Sequence, residues 1–181
     1  MMNAKDCLLQ RRSCRRYEDR PVDRAVIRQI VDLARFAPSW KNTQPARYVV
    51  IDDAALKNDI AQTCVRGLVF NTNTITRAAA LAVVCYELGC SGRNPDGTLM
   101  TPDGEKWEMF DAGIATQTFC LAAREYGVGS CIIGVMDEEA IAKKIGLPCT
   151  QKVACLVALG YPEQWKDGPP RLGCDELLSF R

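Results

Sequence analysis

Four short apolar segments, separated by stretches with helical periodicity, constrain the fold of this chain more than any other feature. Each segment has the length and composition of a buried strand. The segments cover residues 48–51, 81–86, 130–133 and 153–159. Because strands and helices alternate along a chain of 181 residues, the sequence predicts an α+β or α/β architecture. We expect residues 1–181 to form a single domain.

Capping residues and prolines mark the predicted helix boundaries. Helices are predicted over residues 4–11 after Asn3, 24–36 after Asp23, 54–65, 107–126, and between Asp137 and Gly146. The helix over 107–126 carries small and apolar residues on more than one face, which favours burial in the core or at a subunit interface. Residues 89–104 are rich in Gly, Asn, Pro and Asp and are predicted to form a long loop.

The composition is that of an ordinary globular protein. Hydrophobic residues make up 48%, charged residues 25%, and the net charge is +1. This balance argues against a general nucleic-acid or membrane surface. The chain has no apolar run of membrane-spanning length, and its first residues lack the layout of a signal peptide. We therefore expect a cytoplasmic protein.

Ten cysteines and the complete absence of histidine limit the possible chemistry. No two cysteines form a CxxC pair, so the pattern favours buried reduced thiols over a metal or disulfide role. We predict no metal site. Without histidine, Ser-His-Asp and Cys-His catalysis cannot operate within one chain. A cofactor is the natural carrier of any difficult chemistry, although the GxGxxG and GxxxxGK[ST] fingerprints are missing.

Residues 11–16, Arg-Arg-Ser-Cys-Arg-Arg, form a basic loop after the first predicted helix. Guanidinium groups are permanently charged bidentate donors, and a serine hydroxyl adds a further hydrogen bond, so this loop is suited to a phosphate. The alternative is a solvated basic surface.

Two other segments could face a ligand. The APSW loop, residues 37–45, places hydrogen-bonding side chains and an indole between two prolines, and it could equally be an ordinary turn. Residues 127–134 form a glycine-flanked strand end, where a ligand can approach the backbone closely, or simply a core strand between turns.

In order and spacing, these three segments resemble the nitroreductase family of FMN-dependent oxidoreductases. The resemblance runs from RRSCRRY through APSWKNTQPARYVVID and DAGIATQTFCLAAREYGVGSCIIG to VALGYPEQ, and it covers residues 8–171. It implies an α+β fold with a central mixed β-sheet flanked by helices. It also implies an intertwined homodimer with two FMN molecules at the interface.

The resemblance implies a set of FMN-binding residues. Arg11, Arg12, Ser13 and Arg15 would hold the phosphate and ribityl side. Pro38, Ser39, Trp40, Asn42 and Gln44 would contact the flavin from the partner subunit. Cys131, Ile132, Ile133 and Gly134 would face the ring, where a backbone amide approaches N5. Asn71 matches an asparagine near the ring, with Asn73 as a rival, and Arg171 matches a late phosphate ligand, with Lys166 as a less favoured substitute.

The implied reaction passes a hydride from NADH or NADPH through flavin N5 to a nitroaromatic, quinone or enone type of acceptor, with no catalytic side chain. The alternative is an FMN-binding protein without reductase activity, for flavin handling, sensing or consumption. The chain departs from some family members because its Cys131–Gly134 segment lacks an acidic residue and it has no long helical excursion. These departures affect which substrates we expect the protein to reduce, and they do not affect the expectation of FMN binding.

Overall fold

A computed structural model describes residues 2–67, 69–104 and 106–181. Seven α-helices and four strands lie within these residues. They are α1 (Ala4–Gln10), α2 (Arg24–Ala34), β1 (Ala46–Ile51), α3 (Ala54–Thr63), α4 (Val69–Arg77), β2 (Ala80–Glu87), α5 (Lys106–Glu125), β3 (Gly129–Ile133), α6 (Glu138–Ile145), β4 (Gln151–Gly160) and α7 (Cys174–Leu177), with a 3₁₀ turn at Trp40–Asn42.

The four strands form one sheet in the order β1-β2-β4-β3, and each neighbouring pair is antiparallel. One isolated parallel bridge joins Ser13 to Ser130 beside β3. The prediction of an α+β fold, with a central sheet flanked by helices, is confirmed. The resemblance implied a mixed sheet. In the described part of the chain, the four strands are antiparallel and parallel pairing is confined to that single bridge.

β2 is buried on both faces, which explains its uninterrupted apolar sequence. Leu81, Val83 and Cys85 point into a core with side chains of α3, α4 and α6. Ala82 and Val84 point into a second core, which α2 and α5 close. The sheet therefore separates two hydrophobic layers, and α5 packs in the second one.

The predicted caps are observed. The side chains of Asn3, Asp23 and Asp137 accept hydrogen bonds from the backbone N–H groups of Asp6, Ala25 and Ala140. Gly146 ends α6 with a φ of 63°, which a residue without a Cβ adopts at low cost. Local capping chemistry therefore sets these boundaries to within one or two residues.

Helix α4 is absent from the sequence prediction, because its run of threonine and asparagine has low helix propensity. A tertiary contact compensates for this weakness. Lys57 of α3 is buried, and its Nζ donates hydrogen bonds to the carbonyl oxygens of Thr76, at 3.1 Å, and of Ala78. Burial lowers the pKa of Lys57, and the two carbonyls offset part of the cost of burying its charge.

No helix in the described ranges is long and apolar enough to cross a membrane.

Candidate functional site

The basic loop, residues 11–16, lies against the start of β3. Ser13 forms the parallel bridge to Ser130, and the backbone N–H of Cys14 donates to the Ser130 carbonyl at 2.9 Å. A Cβ built on Gly129 would lie 2.8 Å from the Sγ of Cys14. Only glycine at position 129 therefore allows the loop to approach the strand this closely.

Tyr17 fixes the other end of the basic loop. Its buried hydroxyl donates a hydrogen bond to the carbonyl of Cys14 at 2.5 Å and lies 3.3 Å from the carbonyl oxygen of Ala158 in β4. Its ring packs on Gly160, where a Cβ would lie 2.8 Å from the ring. Burial raises the pKa of Tyr17 far above its ordinary value, so the hydroxyl remains a donor.

The four guanidinium groups of the basic loop have no carboxylate partner among the residues that the structure describes. Elsewhere in that part of the chain, six basic side chains form ion pairs, namely Arg24, Arg35, Arg47, Arg66, Lys106 and Lys144. In the loop, Arg12 and Arg15 instead donate to backbone carbonyls of the loop itself. The positive charge of the loop is therefore available to an anion.

A cleft of about 210 Å³ opens among these cations, lined by Arg12, Ser13, Cys14, Arg15, Arg16, Gln164 and Lys166. The structure thus places Lys166 in the cleft, whereas Arg171 is exposed, is not in the lining, and donates to the Pro169 carbonyl at 3.3 Å. The Nε of Arg12 is buried and has no hydrogen-bond partner among the described residues. A buried donor without a partner is costly, so this atom fits a site for an acceptor.

The strand end predicted to face the ring lies beside the basic loop. Cys131 and Ile133 point into the core, whereas Ile132 and Gly134 are exposed. Burial raises the pKa of the Cys131 thiol, and the positive charges of Arg15 and Arg11 act in the opposite direction. The basic loop therefore lies beside the first residues of β3, close enough for its charges to act on Cys131.

The APSW loop is held in a strained conformation. Lys41, Asn42 and Gln44 have φ values of 44°, 59° and 51°, and such values cost a residue with a side chain about 1–3 kcal/mol each. The Oγ of Ser39 accepts a hydrogen bond from the backbone N–H of Gln44 at 2.9 Å and closes the turn. A loop of this shape exists only because surrounding contacts hold it.

Asp111 of α5 supplies the main contact with the APSW loop. Both of its carboxylate oxygens lie 3.1 Å from the backbone nitrogen of Trp40, and its Oδ2 accepts from the Ser91 hydroxyl at 2.7 Å. The Ser91 Oγ lies 2.7 Å from the Oγ1 of Thr43. One turn earlier, the carboxylate of Glu108 accepts from the backbone N–H of Cys90 at 2.9 Å.

An aromatic cluster lies beside this network. The rings of Trp40 and Trp107 have centroids 4.7 Å apart, and Phe110 meets Trp107 edge-on at 5.3 Å. The Trp107 Nε1 donates to Thr101 in the 89–104 loop at 3.1 Å. The Trp40 Nε1 is buried without a partner among the described residues. The APSW loop therefore also offers an unused donor.

Asn71 and Asn73 lie on α4, the first half-buried and the second exposed. No hydrogen bond between described residues joins them to either loop. Likewise, no described hydrogen bond or ion pair joins the basic loop to the APSW loop. One protomer therefore brings the predicted phosphate residues next to the start of β3, whereas the APSW loop contacts the N-terminal half of α5.

The outer face of α5 is apolar and open. The inner face is buried through Ala112, Ala115, Thr116, Phe119 and Ala123. Met109, Phe110, Gly113, Ile114, Gln117 and Thr118 line a shallow cleft on the other side. Leu8 and Leu33, both exposed, continue this surface around the groove next to Leu121. Within the protomer, α5 is therefore only half covered.

Sequence analysis did not identify the residues that hold the two loops of the site in shape. Asp111 and Tyr17 are buried polar side chains that anchor the two loops, and Ser91 joins the 89–104 loop to the APSW loop. The one available signal was a carboxylate in a helix of small apolar residues, which requires buried donors nearby.

No group of three or more metal-ligating side chains occurs in the described ranges. All ten cysteines lie in those ranges, and all are free thiols, six of them buried.

Comparisons with known proteins give one family. The model of the nitroreductase family matches residues 8–161. An oxygen-insensitive NADPH nitroreductase of Helicobacter acinonychis is 30% identical, with 86% of each chain covered. An NADH dehydrogenase of Thermus thermophilus is 28% identical, with 100% of this chain and 97% of the relative covered. A Desulfovibrio desulfuricans protein, provisionally named a nitroreductase and solved in complex with FMN, is 25% identical with a TM-score of 0.75, over 100% of this chain and 98% of that one.

We expect Tyr17→Phe to destabilise the fold by about 1–3 kcal/mol, because two buried carbonyls would lose a donor. Trypsin should then cleave faster after Arg15 or Arg16. Urea unfolding and mapped proteolysis measure the two effects. Tyr126→Phe is the control, since no described residue bonds the hydroxyl of Tyr126. Equal behaviour of both variants would show that Tyr17 does not anchor the loop.

Proposed function

This chain belongs to the nitroreductase family, and on that premise we propose that it is an FMN-dependent oxidoreductase. It would pass a hydride from NADH or NADPH to a small acceptor of the nitroaromatic, quinone or enone type. Residues 1–181 would form one FMN-binding domain. The observation that carries this proposal is the guanidinium cluster that β3 and Tyr17 hold in place without a carboxylate partner among the described residues.

The residues of the basic loop fit the phosphate of FMN. Arg12, Ser13 and Arg15 line the cleft, and Arg11 lies next to them. The buried Nε of Arg12 lacks an acceptor that a phosphate oxygen would supply. Lys166 lies in the same cleft, so we propose it as the late phosphate ligand in place of Arg171.

The end of β3 and the APSW loop fit the ring. We propose that Cys131, Ile132, Ile133 and Gly134 face the ring. Ile132 and Gly134 are exposed, and Gly134 leaves its backbone open to a ligand. Pro38, Ser39, Trp40, Asn42 and Gln44 form a rigid loop whose indole N–H has no partner among the described residues. For the asparagine near the ring we propose Asn71, which is the less exposed of the two on α4.

The protein's own contribution is binding and orientation. When bound, FMN supplies the hydride chemistry that no side chain of a histidine-free chain offers. The guanidinium groups would hold the phosphate, and β3 and the APSW loop would orient the ring. The aromatic cluster beside the APSW loop would help to exclude water. We assign no acid or base role to a side chain.

We also propose that two copies share each site. The basic loop and the APSW loop lie on separate surfaces of one protomer, while the outer face of α5 presents Met109, Phe110 and Ile114 to solvent. Packing this face against its twin would bury the apolar surface. It would also bring the APSW loop of one copy to the basic loop of the other.

We also propose that the protein works in a reducing cytoplasm, and its ten free thiols support this.

An absorbance spectrum of the purified protein tests the proposal directly. Bands near roughly 370 and 450 nm, as for any oxidised flavin, should appear and should fade when NADH or NADPH is added without oxygen. A yellow protein that neither nucleotide bleaches would support a flavin-binding protein without reductase activity. A colourless protein that takes up no FMN would refute both the reductase and the flavin-binding hypothesis.

We expect Arg15→Ala to raise the dissociation constant of FMN about 10–100-fold, as for the loss of a charge-assisted hydrogen bond. Riboflavin, which lacks the phosphate, should bind the variant as it binds the unmodified protein. Flavin fluorescence during titration measures both constants. Arg28→Ala, an exposed arginine of α2, is the control and should change neither. An unchanged FMN constant in Arg15→Ala would remove the phosphate assignment.

Ile114→Asp should convert a species of twice the 20.0 kDa chain mass into single chains, because a carboxylate on the outer face of α5 would be buried unpaired. The same variant should lose FMN, since each site would lack one loop. Sedimentation velocity and the flavin spectrum measure the two effects. Gln62→Asp, exposed on α3, is the control. A single-chain variant that keeps FMN would refute a shared site.

A further inference from the structure

We propose that Asp111 is a positioning residue for the flavin ring, acting through the APSW loop and coupling that loop to the 89–104 loop. This inference rests on the proposed function, and it concerns a residue that touches neither the phosphate cleft nor the end of β3. Asp111 is 3% exposed, and its carboxylate contacts two loops far apart in sequence.

The first step is the direction of the hydrogen bonds around the carboxylate. The backbone N–H of Trp40 can only donate, and it is shared between Oδ1 and Oδ2 at 3.1 Å each. The Ser91 hydroxyl donates to Oδ2 at 2.7 Å. A carboxylate accepts at both oxygens and donates at neither, so it matches this pair of donors, whereas an amide presents an N–H₂ group to one of them.

The second step is the strain in the APSW loop. Three of its residues, Lys41, Asn42 and Gln44, have left-handed φ values. They immediately follow Trp40, whose N–H the carboxylate holds. Because the loop is unfavourable by itself, its shape depends on external contacts. Loss of the Asp111 contact frees the loop, and ordering it again upon binding then costs affinity.

The third step is the connection to the 89–104 loop. Ser91 is 0% exposed and lies between Asp111 and Thr43, so one hydrogen-bonded chain runs from Trp40 through Asp111 and Ser91 to Thr43. The same loop places Thr101 on the indole of Trp107, which packs on Trp40. A movement of the 89–104 loop is thereby transmitted to the APSW loop through Ser91 and Trp107.

The chain contains a matched control one turn away. Glu108 is also on α5, is also 3% exposed, and also holds the 89–104 loop, through the backbone N–H of Cys90. It makes no described hydrogen bond to the APSW loop. Comparison of Asp111 with Glu108 therefore separates positioning of the APSW loop from general anchoring of the 89–104 loop.

The experiment measures the dissociation constants of FMN and riboflavin for the unmodified protein, Asp111→Asn, Ser91→Ala and Glu108→Gln, together with the melting temperature of each flavin-free protein. In Asp111→Asn, both constants should rise about ten-fold and by the same factor, because the ring is common to both ligands. Ser91→Ala should raise both about three-fold. Glu108→Gln should lower the melting temperature, because it weakens a buried charge-assisted hydrogen bond. Its amide oxygen can still accept from the N–H of Cys90 and hold the 89–104 loop, so the two constants should stay unchanged.

Four results would overturn the inference. Unchanged constants in Asp111→Asn would show that the contact is structural only. If Asp111→Asn raised the dissociation constant of FMN but not that of riboflavin, the effect would lie at the phosphate and not at the ring. If Glu108→Gln raised the two dissociation constants as much as Asp111→Asn does, Asp111 would be only a general anchor of the 89–104 loop. If Asp111→Asn does not fold, unchanged constants in Ser91→Ala would reject the coupling. Failure of the unmodified protein to bind either flavin would instead refute the proposed function.

Discussion

The burial of β2 on both faces is the constraint on which the rest of the structure depends. A strand without an exposed face requires a helical layer on each side of the sheet, and α2 with α5 forms one layer while α3, α4 and α6 form the other. This arrangement places α5 directly on the sheet, with its small residues against β2. It also fixes where the two loops can attach. The APSW loop contacts Asp111 near the start of α5, and the basic loop pairs with Ser130, beyond the end of α5.

Between these fixed points, the two loops are held by different kinds of contact. The basic loop is attached by backbone pairing and by two close approaches that only glycine allows, at Gly129 and Gly160. Within the described ranges, this leaves its guanidinium groups without a carboxylate partner. The APSW loop is attached by a buried carboxylate and by the hydroxyls of Ser39 and Thr43. The side chains of Lys41 and Asn42 make no hydrogen bond to the described residues, so they can serve a ligand without weakening the fold.

The sequence predicted those elements that local chemistry specifies. The four strands and five helices follow from hydrophobic periodicity, and the helix ends follow from Asn3, Asp23, Asp137 and Gly146. It could not predict α4, because that helix depends on the Lys57 ammonium of another element. Nor could it predict the strain in the APSW loop, which nothing in Lys-Asn-Thr-Gln requires. The basic loop was recognisable from its charge. Its proposed role depends on the lack of carboxylate partners among the described residues, and the pairing of charges is a property of the folded chain.

In the proposed dimer, the open face of α5 would link binding of the cofactor to association of the two chains. A helix that buries small residues on one side and exposes Phe110 and Met109 on the other is stable in the protomer yet incompletely covered. In the proposed dimer, a ligand that bridges the basic loop of one copy and the APSW loop of the other binds only the associated state. Ligand binding and association must then strengthen each other by the same free energy, whichever occurs first. Because the two halves of the site lie on different surfaces of one small chain, binding of the cofactor would stabilise the dimer.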